Sequence, residues 1–197
     1  MDYSLSCITP IDGRYSERTK ILSNYFSEKA LIKYRLEVEI EYLINLLNIL
    51  EVDIIYNKEK YEDFKNSLRN IYNNIKDEYI IEIKNIENIV KHDVKSVEIF
   101  LRNKLTELNF HNYNEYIHFG LTSQDINSTS YILSFYEANN NVIIPNICIL
   151  LDNLNDIIIK YKNVPMLSRT HGQPASPTLL GKEINVFSYR LFKQLQM

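Results

Sequence analysis

Apolar residues recur at spacings of three and four through most of the chain, which is the period of an amphipathic α-helix. The pattern predicts a first helix from Ser27 to about Leu50, with Ser27 as its N-cap. It predicts a second helix over "KYEDFKNSLRNIYNNI", a third over "DEYIIEIKNIENIV", and a fourth that begins near Asp93. The residues that recur at these spacings on the first helix are Leu31, Tyr34, Val38, Tyr42, Leu46 and Ile49.

A longer apolar pattern extends from Ser123 to about Lys162. Pro145 interrupts it, and because proline usually kinks or ends a helix, we expect a kink there. A helix of ~40 residues would be ~60 Å long. That length is too great for a small globule, so it favours a helical bundle or an oligomer core. A further helix is expected from about Thr178.

Together these elements predict an all-α fold in two parts. We expect a small helical N-terminal domain over residues 1–111 and the first part of a central long-helix bundle domain over residues 112–197. The stretch "NFHNYNEY" is the expected connector between them. The chain has only 4 glycines and 5 prolines, which agrees with few turns and long elements.

Charge and cysteine content narrow the classes of function. The net charge is -3 and the pI about 5.8, which argues against nucleic acid as the main partner. Cys7 and Cys148 have no neighbours at metal-ligand spacing, so we expect no metal site and a reduced, cytoplasmic protein. The N-terminus has no apolar signal segment, and no apolar run approaches the ~18 residues of a membrane span. We therefore expect no membrane partner.

The stretch "PIDGRY" combines turn-forming residues with a cation. It places Arg14 and Tyr15 on a non-helical backbone. An arginine beside a tyrosine on a tight turn can hold a phosphate through charge-assisted hydrogen bonds. The alternative is an ordinary surface turn with a solvated arginine.

The stretch "VKHDVKSVE" places two cations and a histidine at the start of the fourth helix. Lys91, His92 and Lys95 surround its free N–H groups, and Asp93 is the expected cap. A helix start with nearby cations can bind an anion. The alternative is a capped surface helix with solvated lysines.

The stretch "HFGLTSQDIN" precedes the long helix. Thr122 and Asp125 fit a capping box, and Thr122 and Ser123 add two hydroxyls beside unpaired backbone donors. Such a corner can bind a carboxylate. The alternative is a helix cap with no ligand, and His118 is expected to be a packed core histidine.

The stretch "SRTHGQPASP" points to proton-transfer chemistry. Gly172, Pro174 and Pro177 predict an irregular loop that presents His171. Histidine normally titrates near neutral pH, and a stiff loop would fix its geometry for proton transfer. The alternative is an ordinary surface histidine, and His111 is expected to be structural.

These four stretches, in this order, resemble the fumarase/aspartase superfamily, and within it the adenylosuccinate lyase family of the bacterial type. The family's landmarks are "SPxDGRY", "NHDVKxVE", "HFxxTSED" and "LSRTHGQPA". Here they read "TPIDGRY", "KHDVKSVE", "HFGLTSQD" and "LSRTHGQPA". The likeness covers essentially the whole chain.

The resemblance implies a purine-biosynthetic lyase that needs no cofactor. It implies β-elimination of fumarate from adenylosuccinate, giving AMP, and from the succinyl-carboxamide ribotide intermediate. It also implies a homotetramer whose active sites are shared between chains. By position in the motifs, His171 is the general acid, and Thr122 and Ser123 bind a substrate carboxylate. The residues matching nucleotide-binding positions are Arg14, Tyr15, Lys91, His92 and Asp93.

The chain departs from the family pattern at Lys91, where the family has asparagine, and at Gln124, where it has glutamate. The family's base is a serine on a mobile loop with the pattern "S-S-x-M-P-x-K", which does not occur in these 197 residues. We therefore expect roughly the front half of such an enzyme. The alternatives are argininosuccinate lyase, fumarase or aspartase from the same superfamily, or an inactive helical fragment. "DGRY" and "KHDV" favour the member that holds a phosphate.

Overall fold

The computed structural model describes residues 6–197, and it is 74% helical. This confirms the predicted all-α class. The α-helices are α1 Ser16–Thr19, α2 Ser23–Phe26, α3 Glu28–Ile49, α4 Lys58–Asn73, α5 Asp77–Val90, α6 Asp93–Glu107, α7 Ser123–Ala138, α8 Ile144–Tyr161 and α9 Leu180–Leu195. Short 3₁₀ segments occur at Lys20–Leu22, Asp53–Tyr56 and His111–Tyr116. The strands β1 Pro165–Thr170 and β2 Gln173–Leu179 form an antiparallel pair.

Helix α3 is the central element of the first core and packs against α4 and α6. Ser27 is its N-cap, as predicted, and accepts a hydrogen bond from the Ala30 N–H at 3.1 Å. Of the six residues whose spacing indicated this helix, however, Tyr34 alone is buried. Apolar residues occur on two neighbouring faces of α3, so periodicity could not say which face enters the core. The buried aliphatic residues of α3 are Ala30, Ile32, Leu36, Ile40, Leu43, Ile44 and Leu47.

The other helices of this core follow the sequence closely. Helix α5 has the predicted bounds, and α6 begins at the predicted residue. Phe64, at the centre of α4, is fully buried and meets Phe110 edge to face, with ring centroids 5.0 Å apart. Burying such aromatic and aliphatic side chains is the main stabilising term, at about 25 cal/mol per Å² of apolar surface removed from water.

The predicted interruption of the long helix is a π-helical turn. This turn, Asn139–Ile143, separates α7 from α8, and the Ile144 N–H donates to the Asn139 carbonyl five residues back. Pro145 follows in the first turn of α8. Proline has no N–H to continue the usual bonding four residues back, so a local change of helix type accommodates it.

The chain divides into two compact units, Met1–Glu137 and Ala138–Met197. The first contains the core around α3, and the second contains α8, the β1–β2 pair and α9. In the second unit α9 crosses α8 closely, because a Cβ at Gly181 would lie 2.7 Å from the Ile158 carbonyl oxygen. The predicted boundary of the folding domains, between residues 111 and 112, stays a prediction.

One helical segment within residues 6–197, Ser123–Tyr161, is long and apolar enough to cross a membrane by length and composition. Its most apolar window has a mean hydropathy of 1.7 and is 11% buried. The expectation that no apolar stretch reaches this length was therefore wrong, because Pro145 and the three asparagines at positions 139 to 141 interrupt the pattern without adding charge. A core helix of a soluble protein has the same length and composition, so the feature alone is weak evidence for a membrane.

Candidate functional site

The start of α6 is capped by histidine. Asp93 was the predicted cap, but His92 is the N-cap, and its ring Nδ1 accepts a hydrogen bond from the Lys95 N–H at 3.1 Å. Asp93 is instead the first helical residue. Its Oδ1 accepts from the Val94 N–H at 2.9 Å. The prediction failed because either residue can reach the free N–H groups of the first turn, and an arginine from α3 occupies the second oxygen of Asp93.

The cap fixes the tautomer of His92. Because Nδ1 accepts a hydrogen bond, the ring proton of the neutral imidazole lies on Nε2. That nitrogen is 3.3 Å from the Ser123 hydroxyl at the start of α7. Nε2–H therefore donates to the Ser123 Oγ, and the serine hydroxyl hydrogen is left to donate to a ligand.

The turn before α7 forms half of the predicted capping box. The Asp125 carboxylate accepts from the Thr122 N–H at 2.7 Å and from the Thr122 hydroxyl at 2.9 Å. The Asp125 N–H, however, donates to the Thr122 backbone carbonyl rather than to its hydroxyl. These two bonds from Thr122 hold the pKa of the exposed Asp125 carboxyl below its usual value. Asp125 thus remains ionised and keeps the turn closed.

Two helix N-termini therefore meet at one corner, which consists of His92, Asp93, Thr122 and Ser123. Each N-terminus carries free N–H groups and the positive end of a helix dipole. A hydroxyl and an imidazole lie between them at hydrogen-bonding distance. Such a corner suits a carboxylate or a phosphate.

Lys91 lies in the two-residue connection between α5 and α6. Its backbone is left-handed, with φ 56°, and its N–H donates to the Glu87 carbonyl at 2.8 Å. This sharp turn lets α6 begin after a connection of only two residues. The Lys91 side chain is exposed beside the corner. Left-handed backbone suits glycine or asparagine better than lysine.

A buried arginine on α3, which the sequence analysis did not identify, joins the two helix starts. The Arg35 Nη2 donates to the Asp93 Oδ2 at 2.5 Å, and its Nε donates to the Asn127 Oδ1 at 2.9 Å. Partial burial acts to raise the pKa of the Asp93 carboxyl, but the Val94 N–H and the Arg35 guanidinium outweigh it and lower that pKa. Asp93 is therefore ionised at neutral pH.

The same face of α3 also anchors the turn before α7. Glu39, one turn after Arg35, has a fully buried side chain, and its Oε1 lies 2.6 Å from the His118 Nδ1. Burial raises the pKa of Glu39, against the lowering effect of the His118 contact. The Tyr42 hydroxyl donates to the Phe119 carbonyl at 2.7 Å. His118 is thus a packed, hydrogen-bonded histidine, as expected. The available signal was the spacing of Arg35, Glu39 and Tyr42, which recur at intervals of four and three along α3.

Arg14 and Tyr15 lie in the predicted turn. The Tyr15 N–H donates to the Pro10 carbonyl at 2.9 Å, and the Gly13 N–H donates to the Thr9 carbonyl at 3.2 Å. Both side chains are exposed. Within residues 6–197 no hydrogen bond joins this turn to the corner.

His171 occupies the tip of a β-hairpin in the second unit, and the expectation of an irregular loop was wrong. Thr170 pairs with Gln173, so His171 and Gly172 form a two-residue turn, with φ 51° and 75°. Positive φ at both positions is the signature of a type I′ hairpin turn. The prolines of β2 are accommodated because both strands are edge strands, which need no N–H on their outer side. His171 is exposed and bonds to no other residue of the described chain.

The hairpin also contains a bulge that bends it. Ser168 on β1 faces two residues of β2, Ala175 and Ser176, because Leu167 pairs with Pro177 while Arg169 pairs with Pro174. The Ser168 hydroxyl donates to the Ser176 carbonyl at this point. A bulge increases the local twist and redirects the end of a hairpin. It therefore influences where the turn presents His171.

The structure thus brings four of the eight predicted site residues together in the corner, namely His92, Asp93, Thr122 and Ser123, and Lys91 lies beside them. Arg14 and Tyr15 lie in a separate turn, and His171 lies in the second unit. All eight roles stay predictions. No group of three or more histidine, cysteine, aspartate or glutamate residues among residues 6–197 is arranged to hold a metal ion.

The chain matches a family model and several known proteins. A family model described as "Lyase" matches residues 13–197. The chain is 47% identical over 195 residues to adenylosuccinate lyase of Dictyostelium discoideum and 39% identical over 195 residues to that of Escherichia coli (strain K12). These alignments cover 98% and 97% of this chain. The chain spans about 42% of the length of each relative.

Solved structures agree on the fold. A fumarate lyase from Mesorhizobium sp. BNC1 superposes with a TM-score of 0.70 at 20% identity, over 90% of this chain and 39% of that one. A β-carboxy-cis,cis-muconate cycloisomerase from Acinetobacter calcoaceticus gives a TM-score of 0.67 at 19% identity, over the same shares. The match to the family model covers nearly every described residue, and the chain therefore belongs to the lyase family of the fumarase/aspartase superfamily.

Proposed function

We propose that this chain is the N-terminal part of an adenylosuccinate lyase. The observation that carries the proposal is the meeting of His92 and Ser123 at two helix N-termini, which is a corner built for an anionic group. The activity named for the relatives requires such a site, because adenylosuccinate carries two succinyl carboxylates and a phosphate. The succinyl-carboxamide ribotide carries the same groups and is proposed as the second substrate.

The reaction is a β-elimination. A base removes a proton from the carbon beside a carboxylate, and the electron pair is delocalised into that carboxylate. The pair then forms the fumarate double bond while the carbon–nitrogen bond breaks, and an acid protonates the departing nitrogen. Donors fixed before the reaction stabilise the charge that develops on the carboxylate. Thr122 and Ser123 are proposed to bind this carboxylate, with the Ser123 hydroxyl as the ready donor. The Thr122 hydroxyl, which donates to Asp125, would have to turn away from that residue to donate to the carboxylate.

His171 is proposed as the acid, because an exposed imidazole on a fixed turn can reach a leaving group and carries an N–H that can be transferred. Arg14 and Tyr15, with Lys91, His92 and Asp93, are proposed to hold the nucleotide end of the substrate. The resemblance assigns the base to a loop that these 197 residues do not contain. The activity proposed here is therefore that of the longer protein.

A homotetramer with shared sites, located in the cytoplasm, is part of the same proposal. Large apolar side chains exposed on the long helices support an assembly. Phe135 on α7 is 58% exposed, and Phe187 on α9 is 65% exposed. Exposed aromatic residues of this kind are typical of surfaces that another chain covers.

The test is direct. The full-length protein that carries this chain is incubated with adenylosuccinate, and AMP and fumarate are measured together. Stoichiometric release of both supports the proposal. Fumarate from argininosuccinate, malate or aspartate, with none from adenylosuccinate, would instead identify another member of the superfamily.

A further inference from the structure

Arg35 is a buried charged residue whose guanidinium reaches two different helices. Its side chain is 5% exposed. One nitrogen donates to Asp93, the first residue of α6, and another donates to Asn127 in α7. Burying an arginine is unfavourable unless its donors find partners, and these two contacts supply them.

The two partners of Arg35 adjoin the residues that form the corner. Asp93 directly follows His92. Asn127 lies four residues after Ser123, which places both on the same face of α7. The guanidinium therefore links the two helices whose first turns carry the His92 ring and the Ser123 hydroxyl, which lie 3.3 Å apart.

We infer that Arg35 is a positioning residue that fixes His92 and Ser123 relative to each other, so that both can bind anionic groups of the substrate, an inference that rests on the proposed function. Because Arg35 is buried, it acts through Asp93 and Asn127 and does not touch the substrate. A planar guanidinium can donate in two fixed directions at once, which the single ammonium of lysine cannot reproduce. Misplacing a catalytic group by about 1 Å can cost as much as 10²-fold in rate.

The competing explanation is that Arg35 only stabilises the fold. The chain offers a matched control in Arg69, which donates from Nε and Nη2 to the Glu41 carboxylate at 2.7 and 2.8 Å. This contact also joins two helices of the first unit, α3 and α4. It involves none of the corner residues.

The experiment compares Arg35→Lys with Arg69→Lys in the full-length protein. Melting temperatures are measured first, and steady-state kinetics with adenylosuccinate are then measured well below both. We expect both variants to melt earlier than the wild type. We expect kcat/KM to fall roughly 10- to 100-fold for Arg35→Lys, mainly through kcat, and to stay within about 3-fold of wild type for Arg69→Lys. Equal kcat/KM for the two folded variants would overturn the inference.

A second pair of variants decides the matter if Arg35→Lys does not fold. Asn127→Ala removes one acceptor of the guanidinium, and Asn127→Asp retains an oxygen in that place. We expect kcat/KM to fall roughly 10-fold for Asn127→Ala and to return to within about 3-fold of wild type for Asn127→Asp. Loss in neither variant, or equal loss in both, would contradict a positioning role.

The unaltered full-length protein separates this inference from the proposed function. Wild-type protein that cleaves adenylosuccinate, with Arg35 variants that behave like the Arg69 variant, refutes the inference and leaves the proposed function intact. Wild-type protein that does not cleave adenylosuccinate refutes both.

Discussion

His92 and His171 both lie at candidate sites, and their surroundings differ. The His92 ring is fixed on both nitrogens, by the Lys95 N–H and by the Ser123 hydroxyl. Behind it lies a buried arginine that joins two helices. The His171 ring is exposed at the tip of a two-residue turn and bonds to no described residue. Its backbone is fixed by the turn, whereas its side chain is not.

The difference indicates what each region needs from the rest of the protein. The corner around His92 is assembled by contacts within residues 6–197, so it can form before any partner arrives. The His171 turn supplies a defined backbone, but other chain segments would have to surround its ring. An acid that protonates a leaving group is most effective when the site excludes water, which an exposed turn alone cannot achieve.

The largest expected effect is the inactivity of the chain alone. The purified 197-residue chain should release no fumarate from adenylosuccinate, because the family's base loop is absent and the His171 ring is unsupported. Fumarate release is measured against the same chain with His171→Ala. Release above that control would show that the region around His171 is already complete.

Next in size is the loss of His171 in the full-length protein. We expect His171→Ala to lower kcat by about 10² to 10⁴, the usual contribution of general acid–base catalysis, with KM little changed. His171→Gln is the sharper test, because it keeps a donor but cannot deliver a proton. His111→Ala, which removes another exposed histidine, is the control. Turnover by His171→Gln within a few-fold of wild type would refute the acid role.

A smaller effect is expected for Arg14, which is proposed to bind the phosphate of the substrate. Arg14→Ala should weaken substrate binding by roughly 1–3 kcal/mol, the usual value of a charge-assisted hydrogen bond. It should raise KM more than it lowers kcat, since the phosphate is remote from the reacting carbon. Lys20→Ala removes an exposed cation a few residues away and should leave KM unchanged. An unaltered KM for Arg14→Ala would make Arg14 an ordinary surface residue.

Two carboxylates of α3, Glu41 and Glu39, are expected to make stability depend on pH in opposite directions. The Arg69 contact lowers the pKa of Glu41, so its contribution to stability is present above the usual value of 4.5 and is lost as pH falls through the lowered pKa. Burial raises the pKa of Glu39, so its contribution is present below 4.5 and is lost as pH rises through the raised pKa.

Glu41→Gln should therefore destabilise the protein by roughly 1–2 kcal/mol at neutral pH and by less in acid. Glu39→Gln should show the opposite trend: its free energy of unfolding should rise relative to that of the wild type as pH rises. Urea unfolding of both variants and the wild type between acid and neutral pH measures how the difference in unfolding free energy between each variant and the wild type changes with pH. A change in the same direction for both variants would mean that Glu39 is not held in a desolvated environment behind the corner.

The smallest effect is expected at Lys91. Lys91→Asn should stabilise the protein by a few tenths of a kcal/mol up to about 1 kcal/mol, because asparagine tolerates the left-handed backbone better than lysine. Lys162 ends α8 in right-handed conformation, with φ -56°, so Lys162→Asn should give no gain. Thermal unfolding of both variants makes the comparison. Equal shifts in melting temperature for the two variants would show that the left-handed backbone at Lys91 does not destabilise the protein.

The sequence predicted the helices well because their signals are local. An N-cap such as Ser27, the helix-breaking character of Pro145 and apolar spacings of three and four act within a few residues. Features that depend on distant partners were not predicted. The inward face of α3, the cap at His92 in place of Asp93, and the role of Arg35 all require knowledge of which helices meet.

The hairpin of β1 and β2 is a second feature that local sequence signals could not predict. The sequence indicated a rigid presentation of His171, because Gly172 and the prolines restrict the backbone there. It did not show that the rigidity comes from strand pairing, since Pro174 and Pro177 argue locally against a strand. The free edges of a two-stranded sheet remove that objection, and they exist only once the two strands have paired.

By itself, then, the sequence determined the helical class, most helix limits and the motifs that place this chain among the lyases, because each depends on residues close together in the chain. The tertiary structure alone decided that the motifs at His92 and Ser123 form one corner and that Arg35 joins their helices. Asp93 and Asn127 lie 58 and 92 residues from Arg35. Contacts over such separations follow from how helices pack, and local spacing carries no information about them.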